Sequence, residues 1–149
     1  MPEVRVVQQI RASIDDVWAV VSDIEAFSGF MDDVQSVEVL RDHGHERVSS
    51  WSVLLEGSVL EWTEHERIDR DSHLISFRQL DGDLDHFDGH YQVTALEETL
   101  CETVLHVDFD IGIPLLADML NPVACRSLRA SSQRMLRQIE SRVADSTPR

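Results

Sequence analysis

The hydrophobic period of this chain changes three times, and each change narrows the folds open to it. "VRVVQQI", Val4 to Ile10, alternates like a strand, and "SIDDVWAVVSDIEAF" then takes helical spacing, with Ile14, Val17, Trp18 and Val21 on one face. From Val34 to Ile111 the alternation of strands returns, broken by polar turns near His43 to Glu46, Glu56 to Ser58, Asp69 to Ser72, Asp81 to Asp83 and Glu97 to Thr99. After Pro114 the pattern is helical to about Ala144, with Leu116, Leu120, Leu128, Met135, Ile139 and Val143 near one stripe. This order predicts an α+β fold: a curved, seven-stranded antiparallel sheet wrapped around a long C-terminal helix, with two short helices after the first strand. Where the inner face of such a sheet meets the helix imperfectly, a ligand cavity is expected.

Local signals refine the layout. Ser13 and Asp16 form a capping-box-like start to the first helix. Phe27, Phe30 and Met31 fall on a short second helix or turn, with Gly29 between them, and Pro122 should kink the last helix or split off a short first segment. Gly82 suits a turn, and Gly89 marks a bend inside a strand. No repeat, linker or low-complexity tract divides the 149 residues, so one domain is expected, with a frayed tail from about Asp145.

With 28 acidic against 13 basic residues the net charge is −15, which repels phosphate backbones and anionic lipid surfaces, so neither nucleic acid nor membrane is an expected partner. No apolar run approaches the ~20 residues of a membrane span, and "MPEVRVVQQI" has no signal-peptide pattern, so a cytoplasmic location is expected. Cys101 and Cys125 are expected to be reduced thiols. No Gly-rich loop leads into a helix with a Lys beside it, so no nucleotide cofactor is expected.

"VLEWTEHERID", Val59 to Asp69, poses the functional question. Alternation puts Leu60, Trp62, Glu64 and Glu66 on one side and Glu61, Thr63, His65 and Arg67 on the other. Two carboxylates thus follow two core residues onto an inward face. Either they reach a solvated rim or pair with Arg78, or a half-buried Glu beside Trp62 is disfavoured as an anion and becomes useful for proton transfer. "HLISFRQL" leaves two sets competing for the inner face: Ile75 with Phe77, which hydrophobicity favours, or Leu74, Arg78 and Leu80.

A second polar pattern lies outward. In "DLDHFDGHYQV" and "TVLHVDFDI" the positions Phe87, Gly89, Tyr91, Leu105, Val107 and Phe109 face in, while His86, Asp88, His90, His106, Asp108 and Asp110 face out. A hairpin turning at Glu97 to Thr99 sets His90 opposite His106 and Asp88 opposite Asp108. A divalent metal would relieve that like-charge contact, but water and salt on an exposed face suffice, so no metal site is expected.

The order of elements, with "IRASIDDVWAVVSDIEAFSGFMDDVQSVEVL", resembles the START-like helix-grip superfamily. "SDIEAF", "VLEWTEHERID", "FRQLDGDLDHFDGHYQV" and "VDFDIGIP" are similar to the corresponding stretches of bacterial polyketide aromatase/cyclases and related coenzyme-Q-binding proteins. The resemblance implies a cavity lined by Phe27, Phe30 and Met31 near the mouth, Leu60 and Trp62 on one strand, and Phe87, Tyr91 and Leu105 deeper in. It also implies an inward Arg78. Glu66 stands where those enzymes tend to present an arginine, and Val34 where a tyrosine is expected. The implied activity is cofactor-independent aldol closure and dehydration of a poly-β-ketone: Glu64 or Glu66 takes a methylene proton, and Arg78 and Tyr91 polarise the carbonyl. An acyl-carrier protein would deliver the chain, and the last helix carries the visible basic cluster, Arg126, Arg129, Arg134 and Arg137. The alternative is a non-catalytic carrier of a small hydrophobic or quinone-like metabolite.

Overall fold

The computed structural model describes residues 2–55, 57–110 and 117–146. Strand β1 (Glu3–Ile10) leads into α1 (Ile14–Ser22) and a 3-10 helix (Ile24–Gly29). Strands β2 (Val34–Asp42), β3 (Glu46–Leu55), β4 (Ser58–Asp69), β5 (Leu74–Gly82), β6 (His86–Glu97) and β7 (Leu100–Asp110) follow, and α2 (Ala117–Ser146) ends the chain. All seven strands form one sheet in the order β1-β7-β6-β5-β4-β3-β2, every pair antiparallel. The meander is therefore continuous, and β1 joins it by pairing with β7 at the far edge. This is the helix-grip arrangement, an α+β fold.

The strands alternate because one face is covered. Along β3 every second residue, Arg47, Ser49, Trp51 and Val53, is buried, and along β7 Cys101, Thr103, Leu105, Val107 and Phe109 are. Across this face α2 lays Met135, Leu136, Ile139 and Val143, whose spacing of one, three and four residues makes a single helical stripe. From the other side α1 contributes the fully buried Val17 and Val21, its first turn held by the Ser13 hydroxyl accepting from the Asp16 amide at 3.2 Å.

Three local expectations shift. The β5–β6 turn falls after Gly82 and before His86 because β5 pairs as far as Gly82 with Trp62. Helix α2 is continuous through Pro122, with no separate first segment. Gly89 is needed for close approach: a Cβ there would overlap the His106 carbonyl oxygen of the neighbouring strand and crowd the Phe77 ring. The expectations at Ile111 and Leu116 lie outside the described residues. No described helix is long and apolar enough to cross a membrane.

Candidate functional site

Strands β3 and β4 pair so that Trp51 faces Trp62, Ser49 faces Glu64 and Arg47 faces Glu66. All six side chains point into the fold, and each indole is pinned by its own N–H. Trp51 Nε1 donates to Ser49 Oγ at 2.8 Å, and Trp62 Nε1 donates to Glu64 Oε1 at 2.7 Å. The rings stack 5.8 Å apart within 3° of parallel, a flat surface fixed by hydrogen bonds beneath it.

The carboxylates differ in their partners. Glu66 Oε1 accepts from Arg47 Nε at 2.7 Å and from Ser49 Oγ at 3.2 Å, and Arg47 Nη1 also donates to the Ser22 carbonyl oxygen at 2.9 Å. Both members of this ion pair are buried. Glu64, only 3 % exposed, has the Trp62 donor but no cation of its own. Burial, then the charge of Glu66 and a hydrogen bond shared with it, hold the Glu64 carboxyl well above the usual range, against the weaker pull of Trp62 and Arg47. Two buried acids thus face one buried cation, which pairs with Glu66, and burial favours the neutral form of Glu64. Burial, with the charges of Glu64 and Glu66, also raises Tyr91 far above its ordinary value, so it remains a neutral phenol.

Glu64 and Tyr91 open onto a cavity of about 60 Å³ between the sheet and α2. Trp51, Trp62, Phe77 and Phe87 form its aromatic wall, Leu60, Leu105 and Val107 extend it, and Leu128, Ser131, Ser132 and Met135 of α2 close it. The aromatic rings form one run: Trp62 lies 5.0 Å from Phe87, Phe87 5.7 Å from Phe77, and Phe77 6.0 Å from Tyr91. Among the lining residues Glu64 and Tyr91 alone are titratable, and no Lys, Arg or His belongs to the described wall.

Of the residues expected from the sequence, Leu60, Trp62, Glu64, Phe87, Tyr91 and Leu105 meet at this cavity. Phe27 and Met31 instead are core residues; Phe27 is fully buried, edge-on to Trp51 at 5.9 Å. Phe30 is half-buried, with the Arg142 guanidinium 5.5 Å over its ring. Glu66 sits behind the wall with Arg47. Arg78 points away from the cavity: Ile75 and Phe77 take the inner positions of β5, leaving Arg78 exposed on the outer face opposite Asp88. An unpaired guanidinium in this interior would lose its hydration for nothing, so the apolar pair wins the face.

Arg47, Ser49, Trp51, Ser131 and Ser132 were not anticipated, whereas Phe77 belongs to one of the two sets left competing for the inner face and Met135 to the stripe of the last helix. "ERVSSWSVLL" carries Arg47, Ser49, Trp51 and Val53 at alternate positions, the available signal, but its two polar members disguise an inner face.

The outer stripe has the expected register, His90 against His106 and Asp88 against Asp108. The two imidazoles stack at 5.3 Å, and each acid has a histidine two residues earlier on its own strand, His86 to Asp88 at 2.8 Å and His106 to Asp108 at 3.3 Å. On α2, Arg134 binds Asp33 at 2.7 Å and Arg129 donates to the Arg5 carbonyl oxygen at 3.2 Å, so these two arginines tie the helix down.

No curated protein matches the chain. Among solved structures, TTHA0849 from Thermus thermophilus is 26% identical, with a TM-score of 0.90 over 98% of this chain and 100% of its own. The Zhui aromatase/cyclase from a Streptomyces species is 21% identical, with a TM-score of 0.87 over 96% of this chain and 93% of its own, a likeness of fold. Norcoclaurine synthase from Thalictrum flavum shares the fold at 14% identity and a TM-score of 0.74, over 99% of this chain and 89% of its own. The sequence pattern of the polyketide cyclase/dehydrase and lipid transport family matches residues 10–136, and the chain is a member of that family.

Proposed function

We propose that the protein takes up a flat, oxygen-bearing hydrophobic molecule between the sheet and α2, and that it promotes aldol closure of a poly-β-ketone there. The observation carrying this reading is a buried carboxyl, Glu64, on the wall of an aromatic cavity, with a second buried carboxyl, Glu66, behind it. In its ionised form Glu64, whose burial raises its affinity for a proton, is a base that takes a hydrogen from a methylene flanked by two carbonyls. The enolate carbon bonds to a carbonyl carbon further along the chain, and Glu64 returns the proton to the alkoxide oxygen. Loss of that hydroxyl with a neighbouring C–H hydrogen, as water, completes the ring. Tyr91, held as a neutral phenol, donates a hydrogen bond to the enolate oxygen.

The cavity, about 60 Å³, has room for roughly four waters at the 10–15 Å³ each requires, so a ring-sized ligand displaces lining side chains as it enters. Met135, unbranched and on the α2 side, is the adaptable one. A carrier without chemistry would need the same aromatic wall, and the apolar character of the rest of the lining favours that second reading.

Incubation with an unstable poly-β-ketone mimic separates them. The wild type is expected to raise cyclised over shunt products, with Glu64→Gln lowering that ratio about 10²-fold or more, as for loss of a general base. Binding of a stable aromatic ketone should change less than threefold. Unchanged product ratios with intact binding would leave the carrier.

A further inference from the structure

We propose that the cavity is a charge filter, admitting neutral oxygenated aromatics such as aryl ketones and excluding aromatic or aliphatic carboxylates of the same shape. This deepens the reading above and rests on the cavity being the binding site. It divides the two activities in the family's description, because a free fatty acid is an anion and a polyketone is not.

The argument is one of charge accounting. Arg47 is a buried cation beside the wall; its Nε and Nη1 are committed to Glu66 and to the Ser22 carbonyl, and its Nη2 is buried without a hydrogen-bond partner. It stands behind Glu66 and does not line the cavity. Arg47 and Glu66 form a neutral buried ion pair, and burial favours the neutral form of the Glu64 carboxyl. A neutral ketone leaves this balance intact: its oxygen accepts from Glu64, from Tyr91 or from a serine hydroxyl of α2, and its rings lie on the Trp51–Trp62 surface. The enolate of the proposed reaction also preserves it, since the substrate's proton moves onto Glu64 as charge moves onto the substrate. A carboxylate ligand instead brings a second negative charge into a space with no described cation on its wall. It must leave its hydration outside, and the nearest titratable groups, Glu64, Glu66 and Tyr91, offer repulsion or at best a neutral donor.

The test uses two naphthalenes matched in shape, 2-acetonaphthone and 2-naphthoate, with methyl 2-naphthoate as the neutral form of the second, titrated calorimetrically into the full chain at pH 7. The wild type is expected to bind the ketone and the ester at least tenfold more tightly than the carboxylate. In Glu64→Gln, which keeps a neutral donor and leaves the Arg47–Glu66 pair unchanged, the carboxylate should stay at least tenfold weaker than the ketone, and the ketone should stay within threefold of wild type. Circular dichroism of the variant verifies the fold, and the ester-to-carboxylate ratio in the wild type stands whether or not the variant folds. Equal affinity for ketone and carboxylate in the wild type overturns the filter and leaves the cavity as a binding site. A gap that a folded Glu64→Gln closes would place the exclusion on a charged Glu64 and overturn the account by a missing cation. Failure of all three compounds to bind the wild type overturns the cavity reading and the filter with it.

Discussion

Glu64 has a consequence for stability as well as for chemistry. Its carboxyl is raised above 4.5 by burial first and by Glu66 second, and the charged groups facing it are Glu66 on its own strand, Arg47 on β3 and the phenol of Tyr91 on β6. Above pH 4.5 the unfolded chain releases this proton while the folded chain keeps it, so the native state binds more protons and stability falls as pH rises. The fall continues until pH passes the raised native value and is constant beyond it. Glu64→Gln has no proton to lose, so its stability relative to wild type is expected to increase as pH rises above 4.5 and to level off once pH passes the raised native value, in urea titrations. Parallel curves for the two proteins would show that Glu64 is an ordinary carboxylate. The sequence revealed that two acids share the inward face of β4 but not which would keep its proton. That depends on Arg47, nineteen residues earlier in the chain than Glu66 and brought opposite it only by the register of β3 on β4.

At the scale of elements, alternation was a reliable guide where the inner residues were apolar and failed where they were not. Strands β6 and β7 read correctly because Phe87, Tyr91, Leu105, Val107 and Phe109 are unmistakable. β5 was decided by Ile75 and Phe77 against the family resemblance, because an apolar pair gains from burial what an unpaired arginine loses. The 3-10 helix and the turn after it put Phe27 and Met31 into the core, not at the mouth, with Phe27 turned under β3 toward Trp51. Gly89 was legible as a special position but not in its reason. Its pairing with Phe77 on β5 and Val107 on β7 leaves no volume for a Cβ against the His106 carbonyl. Gly89→Ala must therefore push β6 from β7 or abandon ladder hydrogen bonds, at a cost of about 2–3 kcal/mol. Because Phe77 and Phe87 flank the cavity, the displacement should also weaken ketone binding. Denaturant midpoints and calorimetry on the same sample check both, and an unperturbed midpoint would mean the strands part freely here.

For the whole molecule the dominant fact is the charge of −15. The interior contributes little to it: the buried Arg47–Glu66 pair is neutral, and burial favours the neutral form of Glu64. The excess is therefore on the surface, where carboxylates such as Asp88 and Asp108 face each other across β6 and β7. Such repulsion acts through water and is screened by salt, with a Debye length of about 30 Å at 0.01 M and about 10 Å at 0.1 M. Folding gathers these charges closer together than the unfolded chain does, so the native state gains more from screening. The melting temperature is expected to rise by ~2–4 °C between 0.01 and 0.3 M NaCl, equivalent to about 1 kcal/mol in a domain of this size. A melting temperature that fell with salt would mean that surface ion pairs, Arg134 with Asp33 foremost, outweigh the repulsion. Binding of the neutral ketone should be nearly indifferent to the same change in salt, because its contacts lie inside the sheet and involve no net charge.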